Sequence, residues 1–325
     1  MSLFQLQNIT KAFDKTVLQN VTLTVGRGEI FGLLGESGSG KSTLLRIAAG
    51  LIDADIGRVL LKNKAITPAY DKLIPGHADI KIVHQDYELF AQLTVKENIS
   101  YALRFYEKQY QKTRTQELIE LCQLENVATK PAKLLSGGEK QRTAIAKAIA
   151  EKPKVLLLDE PFAHLDLLNR NRLSQSIQQL VSQLGLACIF VTHDAPNALA
   201  LSDKMGILQN GTLLQTDTPE NIYHSPNNRY IAELTGEANI LKVSVINNIF
   251  DTNLIATFPD KTVLIRPENI IIDHQYFSGS TQATVKQVVF GGSHYKVQVL
   301  IDRQRIWGQS TMKPTINQIV FASLR

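Results

Sequence analysis

At 325 residues the chain exceeds what one hydrophobic core ordinarily serves, so two domains are expected, and 44% apolar residues fit a soluble globular fold. The formal charge of +5 is mild and no Lys/Arg stripe is interleaved with aromatics, which argues against a nucleic-acid partner. Residues 1–5 lack the charged and apolar regions of a leader, and no run of about 18 apolar residues occurs; the expected location is the cytoplasmic face of the cell membrane, reached through a partner. Cys122 and Cys188 stand 66 positions apart inside periodic apolar segments, as reduced core residues do, without metal-ligand spacing.

In chain order, residues 3–9, 21–25 and 29–34 read as strands, with Gly26 and Gly28 marking a turn. Phe13, in the loop after the first strand, is either a ring that stacks on a nucleotide base or an ordinary core phenylalanine. The apolar run 30–34 leads into Gly35-Glu36-Ser37-Gly38-Ser39-Gly40-Lys41-Ser42-Thr43, and a helical run follows at 44–49. This strand, Gly-rich turn and helix is the context of a phosphate-binding P-loop. Gly38 and Gly40 let the backbone turn so that N–H groups converge on β- and γ-phosphates. Lys41 adds a cation, Ser42 suits Mg²⁺, Thr43 reaches an α-phosphate, and the helix points its positive end at the anion.

A strand at 57–61 and a surface loop at 68–77 come next, then a strand at 80–84 ending at Gln85. From 86 to about 135 the pattern is helical, with helices expected over 95–106 and 115–124. Tyr87, Leu89 and Phe90, at the entry of this segment, are either a partner contact or a cluster tucked beneath the helices. Ser136, with Glu139 three residues on, is a capping box. Gly137 and Gly138 inside it are poor helix formers, better explained if backbone N–H groups approach a second phosphate.

The unbroken apolar run 155–158 ends in Asp159-Glu160, as expected of a central parallel strand whose carboxyl end faces ligand. Asp159 suits Mg²⁺, and Glu160 suits the orientation or deprotonation of an attacking water. Asp166 lies in the following turn. A helix ends at Gly185, a buried strand follows over 187–192, and His193 stands at its end, either structural or within reach of the γ-phosphate. Asn210-Gly211 joins a hairpin. Beyond 236, strands are expected at 241–246, 261–265, 282–289, 295–301, 305–308 and 319–322, forming a small barrel.

The ordered set Gly35–Thr43, Gln85, Leu135-Ser136-Gly137-Gly138-Glu139, Asp159-Glu160, Asp166 and His193 resembles the ATPase subunit of ABC transporters over residues 1 to about 235. The C-terminal stretch, with Leu264-Ile265-Arg266-Pro267-Glu268-Asn269, looks like the regulatory β-barrel (TOBE-like) domain of bacterial importer ATPases. The resemblance implies an α/β P-loop NTPase, with a RecA-like core and antiparallel β and helical subdomains, over residues 1–235, the helical subdomain spanning about 86–135, and an all-β barrel over 236–325. It implies ATP and Mg²⁺, the metal held by Ser42, Gln85 and Asp159, with Glu160, His193 and Gln85 catalytic. It implies a head-to-tail homodimer in which Ser136, Gly137, Gly138 and Asp166 meet the partner's nucleotide, bound to integral membrane permease subunits and, indirectly, to an extracytoplasmic solute-binding protein. Ferric iron or a polyamine is the expected solute, with sugar, sulfate or molybdate import, or a non-transport ATPase, as alternatives. Phe13 replaces the family's usual tyrosine, and His164 occupies a position usually held by a small or amide residue, leaving its role open.

Overall fold

The computed structural model describes residues 2–163 and 165–325, so His164 lies outside the described residues. The chain divides into two compact units, residues 1–219 and 220–325.

In the first unit, the alternating strands Ser2–Ala12 and Thr16–Gly26 pair antiparallel, and Ile56–Leu61 and Lys64–Ala65 extend them into a four-stranded sheet. A second sheet of six strands is built around Ile30–Leu34, Ala187–Thr192, Val155–Asp159 and Ile80–Val83, which lie side by side and parallel in that order. Lys204–Gln209 runs parallel along the other edge of Ile30–Leu34, and Thr212–Asp217 pairs antiparallel with it through the hairpin. Asn210 and Gly211 both have positive φ, +47° and +78°, as an Asn-Gly hairpin turn requires. Residues 30–34 and 187–192 are buried throughout, which explains unbroken apolar runs in place of alternation.

The helix Lys41–Ala48 buries Leu44, Leu45, Ile47 and Ala48, and these join Phe4, Leu6 and Val21 of one sheet to Leu33, Leu157 and Ile189 of the other in a single core. Helices Val95–Ala102 and Lys108–Leu121 form the helical segment. The first stops at Ala102, short of the expected 106, and the second begins at Lys108 instead of 115. The first starts in a full capping box, Thr94 with Glu97. Asn98, fully buried, ties the loop before it by donating to the carbonyls of Phe90, Leu93 and Thr94. Both cysteines are buried, and burial pushes their thiols up to about 12, far from reactive thiolates.

The second unit holds helices Arg229–Thr235 and Val243–Phe250, a two-stranded sheet of Asn239–Lys242 with Thr262–Ile265, and a closed five-stranded barrel. Around the barrel the order is Ile270–Asp273, Gln304–Ser310, Tyr295–Ile301, Thr281–Phe290 and Ile319–Leu324. Its interior is alternate residues: Val285, Val297, Val299, Ile306 and Val320 are inaccessible to solvent. At Gly308 a Cβ would come within 2.8 Å of the Ile270 carbonyl, so the strand that pairs parallel with Ile270–Asp273 requires glycine there. Two expectations are corrected. Residues 243–246 are helical, because Ile246, Ile249 and Phe250 recur at a 3–4 spacing and bury one face, overriding local β propensity. Ile270–Asp273, absent from the expected strands, closes the barrel against Ile319–Leu324.

Arg266 fastens this unit. Its side chain is 2% exposed, and its guanidinium donates to the carbonyls of Tyr223, Ala232, Gly236 and Glu237 and to Thr235 Oγ1, while stacking 4.0 Å from the Tyr223 ring centroid. It therefore closes the carboxyl end of the helix Arg229–Thr235. Arg266→Met keeps the volume but strands these buried acceptors, and a loss of about 2–4 kcal/mol is expected. Chemical denaturation of the full chain, followed by Trp307 fluorescence as the reporter for the second unit, checks it.

Candidate active site

The strand order sets the site. A parallel sheet presents its loops at the carboxyl edge, about 4.8 Å apart per strand. Ile30–Leu34 delivers the P-loop, Ala187–Thr192 delivers His193, Val155–Asp159 delivers Asp159 and Glu160, and Ile80–Val83 leads through His84 to Gln85. Residues spread over more than 150 positions of sequence are thus brought into one row. His193 follows the strand between the P-loop strand and the acidic strand.

The P-loop takes the shape of an anion cradle. Gly38 has φ +82° and Gly40, which begins the helix, φ +105°. A Cβ on Gly40 would reach the Val17 carbonyl at 2.8 Å, and one on Gly35 would run into the Leu208 carbonyl, so neither position admits a side chain. Gly35 and Ser39 are buried, whereas Ser37 and Gly38 are open to solvent. Lys41 is 7% exposed and folds its ammonium back onto the carbonyls of Gly35 and Glu36, at 2.7 and 2.9 Å, within the turn. Burial holds the Lys41 pKa below its usual value, opposed by attraction to Glu160 and Asp159. Ser39 Oγ is buried and lacks a hydrogen-bond partner among the described residues. Thr43 is half-buried in the first turn of the helix.

Ser42 Oγ donates to Asp159 Oδ1 at 3.2 Å, bringing the two oxygen ligands of the expected Mg²⁺ together. Burial raises the Asp159 pKa, with the Ser42 hydrogen bond opposing and the Glu160 charge reinforcing the shift. A buried hydroxyl without a protein partner, a strained glycine turn and a lysine turned inward fit a polyanion, and the adjacent hydroxyl and carboxylate oxygens fit a hard divalent cation. Glu160 has φ +47°, an uncommon conformation for a non-glycine residue, held where its backbone N–H donates to Val191. Its Oε1 lies 2.9 Å from His193 Nδ1. Gln85 is exposed at the same edge, and Phe13 projects with 62% exposure beside Lys11, which excludes the core reading.

The signature segment, residues 135–139, falls between Gln85 and Asp159 in sequence and leads into the helix Gly137–Ala148. Ser136 and Glu139 form the complete capping box, Ser136 N–H donating to Glu139 Oε2 at 2.7 Å. Gly138 packs so closely on Asn169 that a Cβ would stand 3.2 Å from its Oδ1. Asn169 in turn donates to Asp166, which caps the helix Leu167–Leu184. Ser136 and Asp166 are thereby exposed on neighbouring helix amino termini, linked through Gly138 and Asn169.

A groove of about 350 Å³ opens between the helical segment and the sheet. Tyr87 lines it half-buried, and Phe90 meets Tyr101 edge-on at 4.7 Å. Sequence reasoning missed the rest of its wall. Tyr101, Arg104 and Phe105 share one face at a 3–4 spacing, with the Arg104 guanidinium 4.4 Å from both ring centroids, and Phe105 is 86% exposed. That spacing of aromatics around an arginine was the available signal.

A family model described as ABC transporter matches residues 18–163. The spermidine/putrescine import ATP-binding protein PotA of Pasteurella multocida is 37% identical over 308 residues, covering 88% of this chain and 81% of the relative. Among solved structures, cbiO1 of Clostridium perfringens, part of the ABC transporter complex cbiONQ, superposes with a TM-score of 0.63 at 27% identity, covering 68% of this chain and 90% of its own. The dimeric bacterial ABC transporter cassette MJ0796 gives 0.59 at 29% identity, covering 67% and 99%. With the P-loop, the acidic strand end and the signature helix in these positions, the chain belongs to the ABC transporter ATP-binding proteins and is an ATPase of that family.

Proposed function

We propose that this ATPase energises import of a polyamine through a membrane permease. The observation that carries this is the extent of the similarity to the spermidine/putrescine import ATP-binding protein. Matching 88% of 325 residues, it extends beyond the 219 residues of the first unit into the barrel unit. The ferric-iron alternative finds no support in the comparisons. No helix among the described residues is long and apolar enough to cross a membrane, so the permease is a separate chain on this reading.

In the proposed mechanism, the P-loop amides and Lys41 bind the phosphates of ATP, and Phe13 offers its exposed ring to the base. Ser42 and Asp159, with Gln85, hold Mg²⁺, which supplies charge neutralisation at the phosphates when bound. Glu160 accepts the proton of the attacking water, and His193, through Nδ1, sets the direction of that carboxylate. Ser136 and Asp166 are exposed and, with Gly137 and Gly138, suit the nucleotide of a second copy, as expected of a head-to-tail dimer. The groove beside Tyr87 and Phe90 suits a loop of the permease, and the barrel unit is read as a TOBE-like regulatory domain.

Disrupting the gene in its native cells should abolish ATP-dependent uptake of radiolabelled spermidine and leave ferric-iron uptake intact; the reverse pattern would overturn the polyamine reading. Lys41→Ala should reduce nucleotide affinity by at least tenfold, measured by titration calorimetry. Glu160→Gln should keep binding, cut hydrolysis by 10²-fold or more, about 2.7 kcal/mol of transition-state stabilisation, and run as a dimer with ATP on a sizing column.

The two shifted charges give a stability prediction. The Asp159 pKa is raised on folding, so its contribution is present below the ordinary carboxylate range and is lost as pH rises through the raised value. The Lys41 pKa is depressed, so its contribution is present above the ordinary ammonium value and is lost as pH falls through the depressed one. In both cases burial disfavours the charged form in the folded protein. Asp159→Asn should therefore raise the thermal midpoint of the nucleotide-free protein while removing hydrolysis, checked by calorimetry and phosphate release.

A further inference from the structure

On the face of the first unit opposite the P-loop, at the amino ends of the parallel strands, lies a cavity of about 330 Å³. Lys154 and Leu186 border it, and each immediately precedes a strand of the central sheet. Its apolar wall comes from Leu3, Ile149, Pro153 and Leu184. Its polar lining is cationic throughout: Arg27, Lys62, Arg114, Lys152 and Lys154, with no carboxylate in the lining.

Some of this charge has partners. Arg114, 5% exposed, donates to Glu117 and to the carbonyls of Ile149 and Ala150 at the end of the helix Gly137–Ala148. Lys154 pairs with Asp79. The other three cations have no carboxylate partner among the described residues. Lys152 stands 5.5 Å from the Tyr110 ring centroid, while the side chains of Arg27 and Lys62 have no hydrogen-bond or ion-pair partner among the described residues. Lys62 and Lys152 are held in left-handed backbone conformations, with φ +52° and +55°. Arg27 lies so close against Gly185, the left-handed cap of the helix Leu167–Leu184, that a Cβ there would run into its guanidinium.

The bland account of these cations is that they neutralise the carboxyl ends of the two helices. Each end carries about half a negative charge, which offsets one of the three unpaired cations and leaves an excess of about two. Arg27, Lys62 and Lys152 are exposed at the mouth of the cavity, where their charges are open to an incoming anion while the apolar wall lies deeper. The volume lies at the small end of the range for ligand pockets, roughly 300–1,000 Å³.

We propose that this cavity is a second anion site, distinct from the nucleotide cradle, which takes a phosphate-monoester dianion carrying a compact apolar or aromatic group. Arg27 and Lys62 bind the phosphate, and Leu3, Pro153 and Leu184 take the apolar part. A soluble phosphate ester and a phosphatidic-acid head group share this chemistry.

The test is titration calorimetry of the full-length protein with phenyl phosphate, inorganic phosphate and phenol, alongside co-sedimentation with phosphatidic-acid or phosphatidylcholine vesicles. Phenyl phosphate should bind more tightly than inorganic phosphate or phenol. Binding should weaken at least tenfold in Arg27→Gln/Lys62→Gln and measurably in Lys62→Gln alone, a substitution on an exposed turn, and persist in Lys41→Ala. Capture by phosphatidic-acid vesicles alone, lost in the double variant, would assign the lipid source; phenyl phosphate binding without vesicle capture would assign a soluble ester. If neither probe binds, or binding is unchanged in the double variant, the proposal falls. If Lys41→Ala alone removes binding, the phosphate occupies the P-loop, and the proposal falls while the ATPase assignment stands.

Discussion

Parallel strands buried on both faces can place polar side chains only where the strands end, and the rest of the first unit depends on this constraint. Residues 187–192 are buried without interruption, so Thr192 hands over directly to His193, as Leu158 hands over to Asp159 and Glu160. Because neighbouring strands are about 4.8 Å apart, charge, hydroxyl and imidazole groups from distant sequence segments meet along one edge. Burial at that edge shifts Lys41 and Asp159 in opposite directions, each toward its neutral form. The fold thus disfavours the charge each group carries, a cost that a ligand charge of opposite sign beside it offsets.

Two kinds of strain converge on that edge. Glu160 takes a left-handed backbone conformation that leaves its carboxylate beside His193, and Gly38 and Gly40 take conformations that only glycine adopts readily. The helix Lys41–Ala48, packed between two sheets, over-determines the glycine turn and keeps it in place. The helix Gly137–Ala148 is held at its amino end by the close approach of Gly138 to Asn169, while its capping box is satisfied internally and its cap, Ser136, stays exposed, the arrangement of a surface completed by another molecule.

The barrel unit uses a different solution. Its core is small and mostly aliphatic, and the helix Arg229–Thr235 is fastened by one buried guanidinium that contacts carbonyls and a hydroxyl and, among the described residues, no carboxylate. Arg266 suits this because a planar fork of donors can satisfy several acceptors at once, which a lysine could not do. Closure of the sheet removes its edges, so the unit presents loops and turns, such as Phe290 to Tyr295, with Phe290 67% exposed.

The sequence by itself determined the nucleotide cradle, the acidic strand end and the order of the strands' chemistry, because these rest on local rules: glycine where φ is positive, apolar runs where both faces are buried, a capping box where a helix begins. It also determined that the C-terminal residues form a barrel. Only the tertiary structure decided that residues 243–246 join a helix, since one buried face outweighed β-branched propensity, and that Ile270–Asp273 closes the barrel, since four residues carry too weak a pattern to be read alone. It alone exposed Phe13, placed His193 against Glu160, and gathered Tyr101, Arg104 and Phe105 on one wall. The cationic cavity was equally hidden, because Arg27, Lys62, Arg114 and Lys152 are scattered over 125 positions and only the packing of strand starts against helix ends brings them together.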